Sequence, residues 1–354
     1  MDALLDRSVV GGYTRLGYAA RKRVGWPADP APGALAGRTA VVTGGGAGLG
    51  QATAAGLAAL GAGVVLLVRD PARAAVARDQ IRARTPGATV ELIRGDVSDL
   101  DDVRRCAAEL REFAPHVLVH NAGVLPATRT ESAQGHELTL ATHVLGPVLL
   151  TELLLPVLDD ARVIMVSSGG MYTQGLPVDD PEYRDGEYQG ATAYARSKRI
   201  QVALTPLLGE RWSGAGTLGA DARSAGATLG ADARSAGATL GADARSAGAT
   251  LGVHAMHPGW ADTPGVTTSL PGFSRMLGPA LRTPEQGADT AVWLAATEPA
   301  PPGGRFWHDR RTRPEYFLPC TGHDADDLDR IWRYCAAAIG IDAHRVDAGG
   351  PGRA

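Results

Sequence analysis

Cysteine is nearly absent: Cys106, Cys320 and Cys335 are the only three in 354 residues. They are too few and too scattered for a disulfide framework or a cysteine zinc site. That scarcity fits a reducing compartment, and the cytoplasm is the expected location. Excess charge is also missing, with 35 Lys and Arg against 38 Asp and Glu, so the chain carries no electrostatic footprint for nucleic acid. No apolar run reaches the ~18 residues of a membrane span. The longest candidate, 144–158, contains Pro147, Thr151, Glu152 and Pro156 and reads as a buried helix. The first residues lack an apolar core ending in small side chains, so no secretory signal is expected. His254 and His257 flank no carboxylate cluster, so no metal site is expected either. Aromatics are sparse, which says little about function.

What is present is an alternation. Apolar runs at 39–43, 64–68, 89–93, 117–120, 162–167, 251–256 and 304–307 read as strands. Helical patterns lie between them at 48–60, 71–84, 99–113, 131–158 (broken near Gly146-Pro147), 191–212 and 284–297. Continuous Val/Leu/Ile strands separated by helices predict an α/β fold, a Rossmann-like doubly wound parallel sheet covered on both faces. Apolar positions 328, 331, 332, 335 and 339 predict one amphipathic helix over 324–338.

Two segments stand outside that alternation. Residues 1–25 interleave Arg7, Arg15, Arg21, Lys22 and Arg23 with Leu, Val and Tyr. A helix on an anionic membrane surface is one reading. A helix packed on the domain with its charges solvated is preferred, because Asp2 and Asp6 dilute the charge and Gly11, Gly12 and Gly17 weaken helicity. Residues 26–36, rich in Pro and Ala, read as a linker. Further on, Ala-Asp-Ala-Arg-Ser-Ala-Gly-Ala-Thr-Leu-Gly occurs three times without a break, at 220–230, 231–241 and 242–252. Each copy has too little apolar surface to offset the cost of ordering it. The expectation is a dispensable surface loop, mobile or loosely helical.

The chemistry starts at Thr43-Gly44-x-x-x-Gly48-Leu49-Gly50, directly after an apolar run and before a helix. Glycines let the backbone approach a pyrophosphate, and the open N–H groups and dipole of the helix start hold the anion. Tyr194 and Lys198 share one helix face at i,i+4 spacing. A cation beside a phenol favours the phenolate and lowers its pKa from ~10. Ser168 ends an apolar strand at the edge where ligands bind and can hold a substrate oxygen near that phenol. Ser167 is the competing assignment.

In order along the chain, Thr43-Gly44-x-x-x-Gly48-x-Gly50, Asp96, Asn121-Ala122-Gly123, Ser168, Tyr194-x-x-x-Lys198 and Pro258-Gly259 resemble the short-chain dehydrogenase/reductase family. The likeness covers about 38–307. Val166–Met171 and His257–Val266 point further, to one subgroup of it. The resemblance implies hydride transfer between a nicotinamide cofactor and a small-molecule carbonyl or alcohol. Tyr194 would be the acid/base, with Lys198 and Ser168 beside it. Asp96 and Val97 would bind the adenine, with Asn121 and Gly123 under the adenosine half. Lys198 would also reach the nicotinamide ribose, while Pro258, Gly259 and Thr263 would meet the carboxamide. The family's fourth catalytic residue is an asparagine; here His143 stands in its place. Its backbone carbonyl survives the change and could support the proton relay, or the residue is only a helix-kink position. A cofactor-bound sensor without turnover is the rival reading, and a nucleotide-sugar epimerase a weaker one.

Cofactor choice is read from Val64–Asp70. The first polar residue at that strand end is Arg69, with Arg73 nearby, which suits a 2′-phosphate. Asp70 is better placed to cap the next helix. NADP(H) is therefore expected over NAD(H). Met171, Tyr172, Trp260, Leu270, Phe273, Met276 and Leu277 would line a pocket for a lipophilic substrate. The implied partition is a basic helix and linker over 1–36, an NAD(P)-binding catalytic domain over 37–320 and a C-terminal helix and tail over 321–354. A homo-oligomer is left open.

Overall fold

The computed structural model describes residues 9–225, 251–262 and 278–343. Eight strands form one sheet: β1 (Thr39–Thr43), β2 (Gly63–Val68), β3 (Val90–Arg94), β4 (Val117–His120), β5 (Arg162–Val166), β6 (Gly252–Met256), β7 (Arg305–His308) and β8 (Arg311–Arg313). Their order is β3-β2-β1-β4-β5-β6-β7-β8. All neighbours run parallel except β8, which returns antiparallel along β7. The chain winds outward from β1 in both directions, so a crevice opens where β1 and β4 meet, beyond their carboxyl ends.

Why both faces are covered is visible in the strands. Val41, Val65, Leu118, Val163 and Val253 enter one buried cluster, while Val42, Leu66, Val119, Ile164 and Met256, at alternate positions of the same strands, enter the other. Nine α-helices of five or more residues accompany the sheet among the described residues: α1 (Val9–Tyr13), α2 (Arg15–Arg23), α3 (Gly48–Ala59), α4 (Pro71–Arg84), α5 (Leu100–Arg111), α6 (Gly146–Leu154), α7 (Gly190–Ala225), α8 (Pro284–Ala296) and α9 (Ala325–Ile339). Local sequence sets their starts. Asp70 accepts from Arg73 N at 3.0 Å to cap α4, with Pro71 in the first turn. Thr283 with Gln286, and Asp324 with Asp327, form capping boxes on α8 and α9.

The observed elements differ from expectation in several places. The helix expected from 131 begins only at Leu138, because the Glu137 carboxylate accepts from Leu140 N at 2.8 Å and caps it. A π-helical turn, Ala141–Leu145, then precedes α6. By length and composition Leu138–Val157 could cross a membrane, but 83% of its most apolar stretch is buried inside the fold. The helix expected to stop at 212 continues to Ala225. The strand β8 was not anticipated, since Arg-Thr-Arg carries no apolar signal. Residues 26–36 are packed on the domain: Leu35 is buried, and Trp293 Nε1 donates to Ala28 O at 3.1 Å. The glycines of the N-terminal segment also have another cause. A Cβ on Gly17 would lie 2.0 Å from Gly11 O, so α1 and α2 cross too closely for any side chain.

Most of the tandem repeat, 226–250, lies outside the described residues. Its last two residues, however, belong to the fold: Leu251 is buried and Gly252 opens β6. In the sequence, Thr217-Leu218-Gly219 precedes the first copy just as Thr250-Leu251-Gly252 closes the third. Deleting 220–252 therefore returns a Leu-Gly pair to the same place before Val253. The closure entropy of 33 residues is on the order of 1–2 kcal/mol. We expect the deletion to keep the thermal midpoint within about 5 °C of the full chain, with unchanged cofactor affinity and size in solution. Calorimetry and sizing chromatography check this; collapse of the fold or a new oligomeric state would reverse it.

Candidate active site

One cleft of 680 Å³ runs along the carboxyl ends of the strands. Gly44, Gly48, Leu49, Gly50, Arg69, Asp96, Val97, Asn121, Gly123, Ser168, Tyr194, Pro258 and Gly259 all line it. Three further candidates, Thr43, His143 and Lys198, are buried behind that wall. Thr263 lies outside the described residues.

At one end, β1 turns through Gly44, whose φ of +67° is left-handed, into α3. The turn is tight: a Cβ on Gly50 would lie 2.4 Å from both Asn121 Nδ2 and Gly44 O. Thr43 Oγ1 accepts from the N–H groups of Asn121 and Ala122, both at 3.0 Å, and so ties the ends of β1 and β4 together. Unlike α4, α5, α8 and α9, helix α3 begins without a side-chain cap, at Ala47. Its first N–H groups therefore face the cleft without a side-chain acceptor, as an anion cradle requires.

Beside the turn, Arg69 Nη1 stands 3.8 Å from Asp96 Oδ2 in an exposed pair. Asp96 also accepts from Ser98 N at 2.9 Å and Ser98 Oγ at 2.7 Å. Asp70 is engaged at the α4 cap, and Arg73 joins the lining.

At the other end, Ser168 and Tyr194 line the cleft together, close enough for Ser168 to favour the ionised Tyr194 hydroxyl, and Ser168 Oγ accepts from Gly170 N at 3.2 Å. Ser167 instead points inward, where its Oγ donates to Lys198 O at 3.0 Å. Lys198 Nζ donates to Val166 O at 2.8 Å and sits 5.6 Å from the Tyr194 ring centre. Burial pushes this ammonium down to about 7. Burial also raises the Tyr194 phenol above its usual 10, against a smaller opposing effect of Ser168. The expected lowering of the phenol by Lys198 is thus not what the chain's own groups produce.

His143 is buried in the π-turn, edge-on to Tyr194 at 5.2 Å. Its Nε2 accepts from Val124 N at 3.0 Å. Ser197 Oγ gives its proton to Tyr194 O at 2.8 Å, so the 2.7 Å contact to His143 takes its hydrogen from Nδ1. Burial, then the nearby Lys198 charge, hold the imidazole well below 6.5, hence neutral. The His143 carbonyl, expected to support the proton relay, accepts from Gln201 Nε2 at 2.6 Å. Gln201 escaped the sequence reading; its place one helical turn past Lys198 was the available signal.

On the substrate side, Trp260 lines the cleft, joined by Val124, Leu125 and Thr173, none of which the sequence reading singled out. Met171 does not line it: it is buried in the core, 3.8 Å from Arg199 Nη1. Tyr172 turns away to stack on Phe317 at 4.2 Å. Leu270, Phe273, Met276 and Leu277 lie outside the described residues.

A family model described as short chain dehydrogenase matches residues 38–177. "Dehydrogenase/reductase SDR family member 12" of Bos taurus is 36% identical over 310 residues, which cover 86% of this chain and 86% of the relative. "Retinol dehydrogenase 13" of Homo sapiens is 28% identical and covers 97% of each chain. Among solved structures, the Pseudomonas aeruginosa RhlG/NADP active-site complex shares 25% identity. Its TM-score is 0.56, over 78% of this chain and 96% of that one.

Proposed function

Since the chain belongs to the short-chain dehydrogenase/reductase family, we propose that it is an NADP(H)-dependent oxidoreductase reducing a lipophilic carbonyl compound. The observation that carries this reading is the arrangement of one cleft, with an uncapped helix start at the glycine turn and Ser168, Tyr194 and Lys198 together at the far end.

The turn suits a pyrophosphate because the helix that starts at Gly48 has no side-chain cap, and the turn is tight enough that a Cβ on Gly44 would meet Ala122 and one on Gly50 would meet Asn121 and Gly44 O. Asp96, Val97, Asn121 and Gly123 would hold the adenosine half, and Pro258 and Gly259 the nicotinamide end. When bound, the dinucleotide supplies the hydride. Ser168 Oγ would hold the substrate oxygen, and Tyr194 Oη would pass it a proton. With its pKa raised by burial, the phenol is protonated at neutral pH, the form that donates to a carbonyl. Lys198 underlies Tyr194, its ammonium bonded to Val166 O and pushed down to about 7 by burial. His143 serves as a neutral clamp between Val124 and Ser197.

The preference for NADP(H) rests on Arg69 and Arg73, with Asp70 engaged in capping. A 2′-phosphate would displace the loose contact between Arg69 and Asp96. Hydrogen bonds to charged groups contribute about 1.5–3 kcal/mol, so Arg69→Asp should weaken NADPH binding about 10–100-fold and spare or improve NADH. Fluorescence titration of both cofactors reads this directly, and tighter NADH binding by the wild type would remove the argument. The lipophilic substrate rests on Val124, Leu125 and Trp260 and is supported by the retinol dehydrogenase relative. A panel of long-chain aldehydes and ketones with NADPH tests it against small polar carbonyls.

A further inference from the structure

The N-terminal helices touch this cleft from behind. The Tyr13 ring, 4% exposed, stands edge-on to His257 at 4.7 Å, His308 at 5.4 Å and Trp260 at 5.8 Å. Its other side closes on Gly169, next to Ser168: a Cβ there would lie 2.6 Å from Tyr13 Cε2. The Tyr13 carbonyl accepts from Trp260 N at 2.8 Å. One aromatic ring thus fills the space between the strand end that carries Ser168 and the loop Pro258–Trp260.

A buried ionic latch holds this ring in place. Arg282 clasps Asp309 with both guanidinium nitrogens, at 2.6 and 2.9 Å, and Arg21 Nη1 reaches the same carboxylate at 2.5 Å. All three side chains are at most 4% exposed. Arg282 further donates to Gly12 O at 2.9 Å, Thr14 O at 3.3 Å and Pro258 O at 3.3 Å, while Arg21 donates to Gly12 O at 2.8 Å. These carbonyls help to offset the second buried positive charge. The loop is packed down on the latch: a Cβ on Gly259 would lie 2.6 Å from Arg282 Cζ and 2.8 Å from Tyr13 O. Nothing in the sequence joins residue 13 to 169, 259 or 309.

We propose that Tyr13 is a positioning residue of the active site. Its ring sets the separation between Ser168 and the Pro258–Gly259 loop, and the Arg21–Asp309–Arg282 latch fixes the ring. This rests on the reading that Pro258 and Gly259 hold the nicotinamide end. The N-terminal segment is then a working part of the site, and its effect falls on one end of the cofactor only.

The full-length protein tests this with Tyr13→Ala and Tyr13→Phe. Calorimetry measures two ligands: the dinucleotide that the wild type prefers, and the matching adenosine fragment without nicotinamide (2′,5′-ADP or ADP). Tyr13→Ala should weaken the dinucleotide at least 10-fold and the fragment less than 2-fold, because the glycine turn is untouched. Tyr13→Phe, which keeps the ring, should recover dinucleotide affinity to within about 3-fold. Equal losses for both ligands, or no loss for either, would make Tyr13 a packing residue only. If Tyr13→Ala does not fold, Gly169→Ala displaces the ring from the opposite side and is read with the same two ligands. A wild type that binds neither ligand would refute the cofactor reading and this proposal with it, whereas an unaltered variant of a binding wild type refutes this proposal alone.

Discussion

Tyr194→Phe should lower the rate on an accepted carbonyl substrate by about 10²–10⁴-fold, the range for loss of a positioned general acid. Cofactor affinity should stay within about 2-fold. The change removes one oxygen from a side chain held by its surroundings: the helix backbone at Tyr194 O is bonded by Ser197, and the ring rests edge-on against His143. The cleft should therefore keep its shape while losing its proton donor. Stopped-flow or steady-state rates with NADPH, beside a fluorescence titration, separate the two effects. A variant as fast as the wild type would show that Tyr194 is not the proton donor, and a wild type that turns over no carbonyl substrate would return the chain to a cofactor-binding sensor.

Acid should destabilise this protein more than its near-neutral charge suggests. His120, His143, His254, His257 and His308 are each at most 2% exposed. Burial holds every one of them below 6.5, His120 at about 3 and His254 at about 4. The unfolded chain binds these protons near pH 6.5 and the folded chain only far lower. The stabilisation is thus present above 6.5 and is lost as pH falls below it. One unit below, each histidine costs about 1.4 kcal/mol, and the five together about 7 kcal/mol. That is comparable with the whole stability of a typical domain, about 5–15 kcal/mol. Urea unfolding at pH 8, 6.5 and 5.5 should show the midpoint falling steeply between the last two. A flat profile would mean that the fold accommodates the protonated rings.

Local periodicity made much of this fold legible. Strands β1 to β7 lie within about one residue of their apolar runs, and β1, β2, β4 and β5, buried on both faces, are apolar almost throughout. The cap of α4 was equally readable, since Asp70 accepts from a backbone N–H three residues on and Pro71 is preset for the first turn. Where the signal is not local, reading failed. Arg-Thr-Arg pairs with β7 through its backbone alone. Glu137 cuts a helix short by folding back on it. Met171 has the right chemistry for a pocket wall and the wrong direction.

The same division runs through the site. By itself, the sequence determined which chemical groups the chain brings: a glycine turn ahead of a helix, a phenol and an amine one helical turn apart, and serines at a strand end. These follow from short spacings along a regular backbone. Only the tertiary structure decided which serine meets the phenol, that His143 is neutral with both ring nitrogens engaged, and that Gln201 takes its carbonyl. It also decided that Arg21, one of several basic residues in an N-terminal helix, is buried against Asp309, 288 residues away. Such contacts depend on packing between elements distant in the chain, where desolvation sets the charge state and close approach sets the partner, and no spacing in the sequence encodes either.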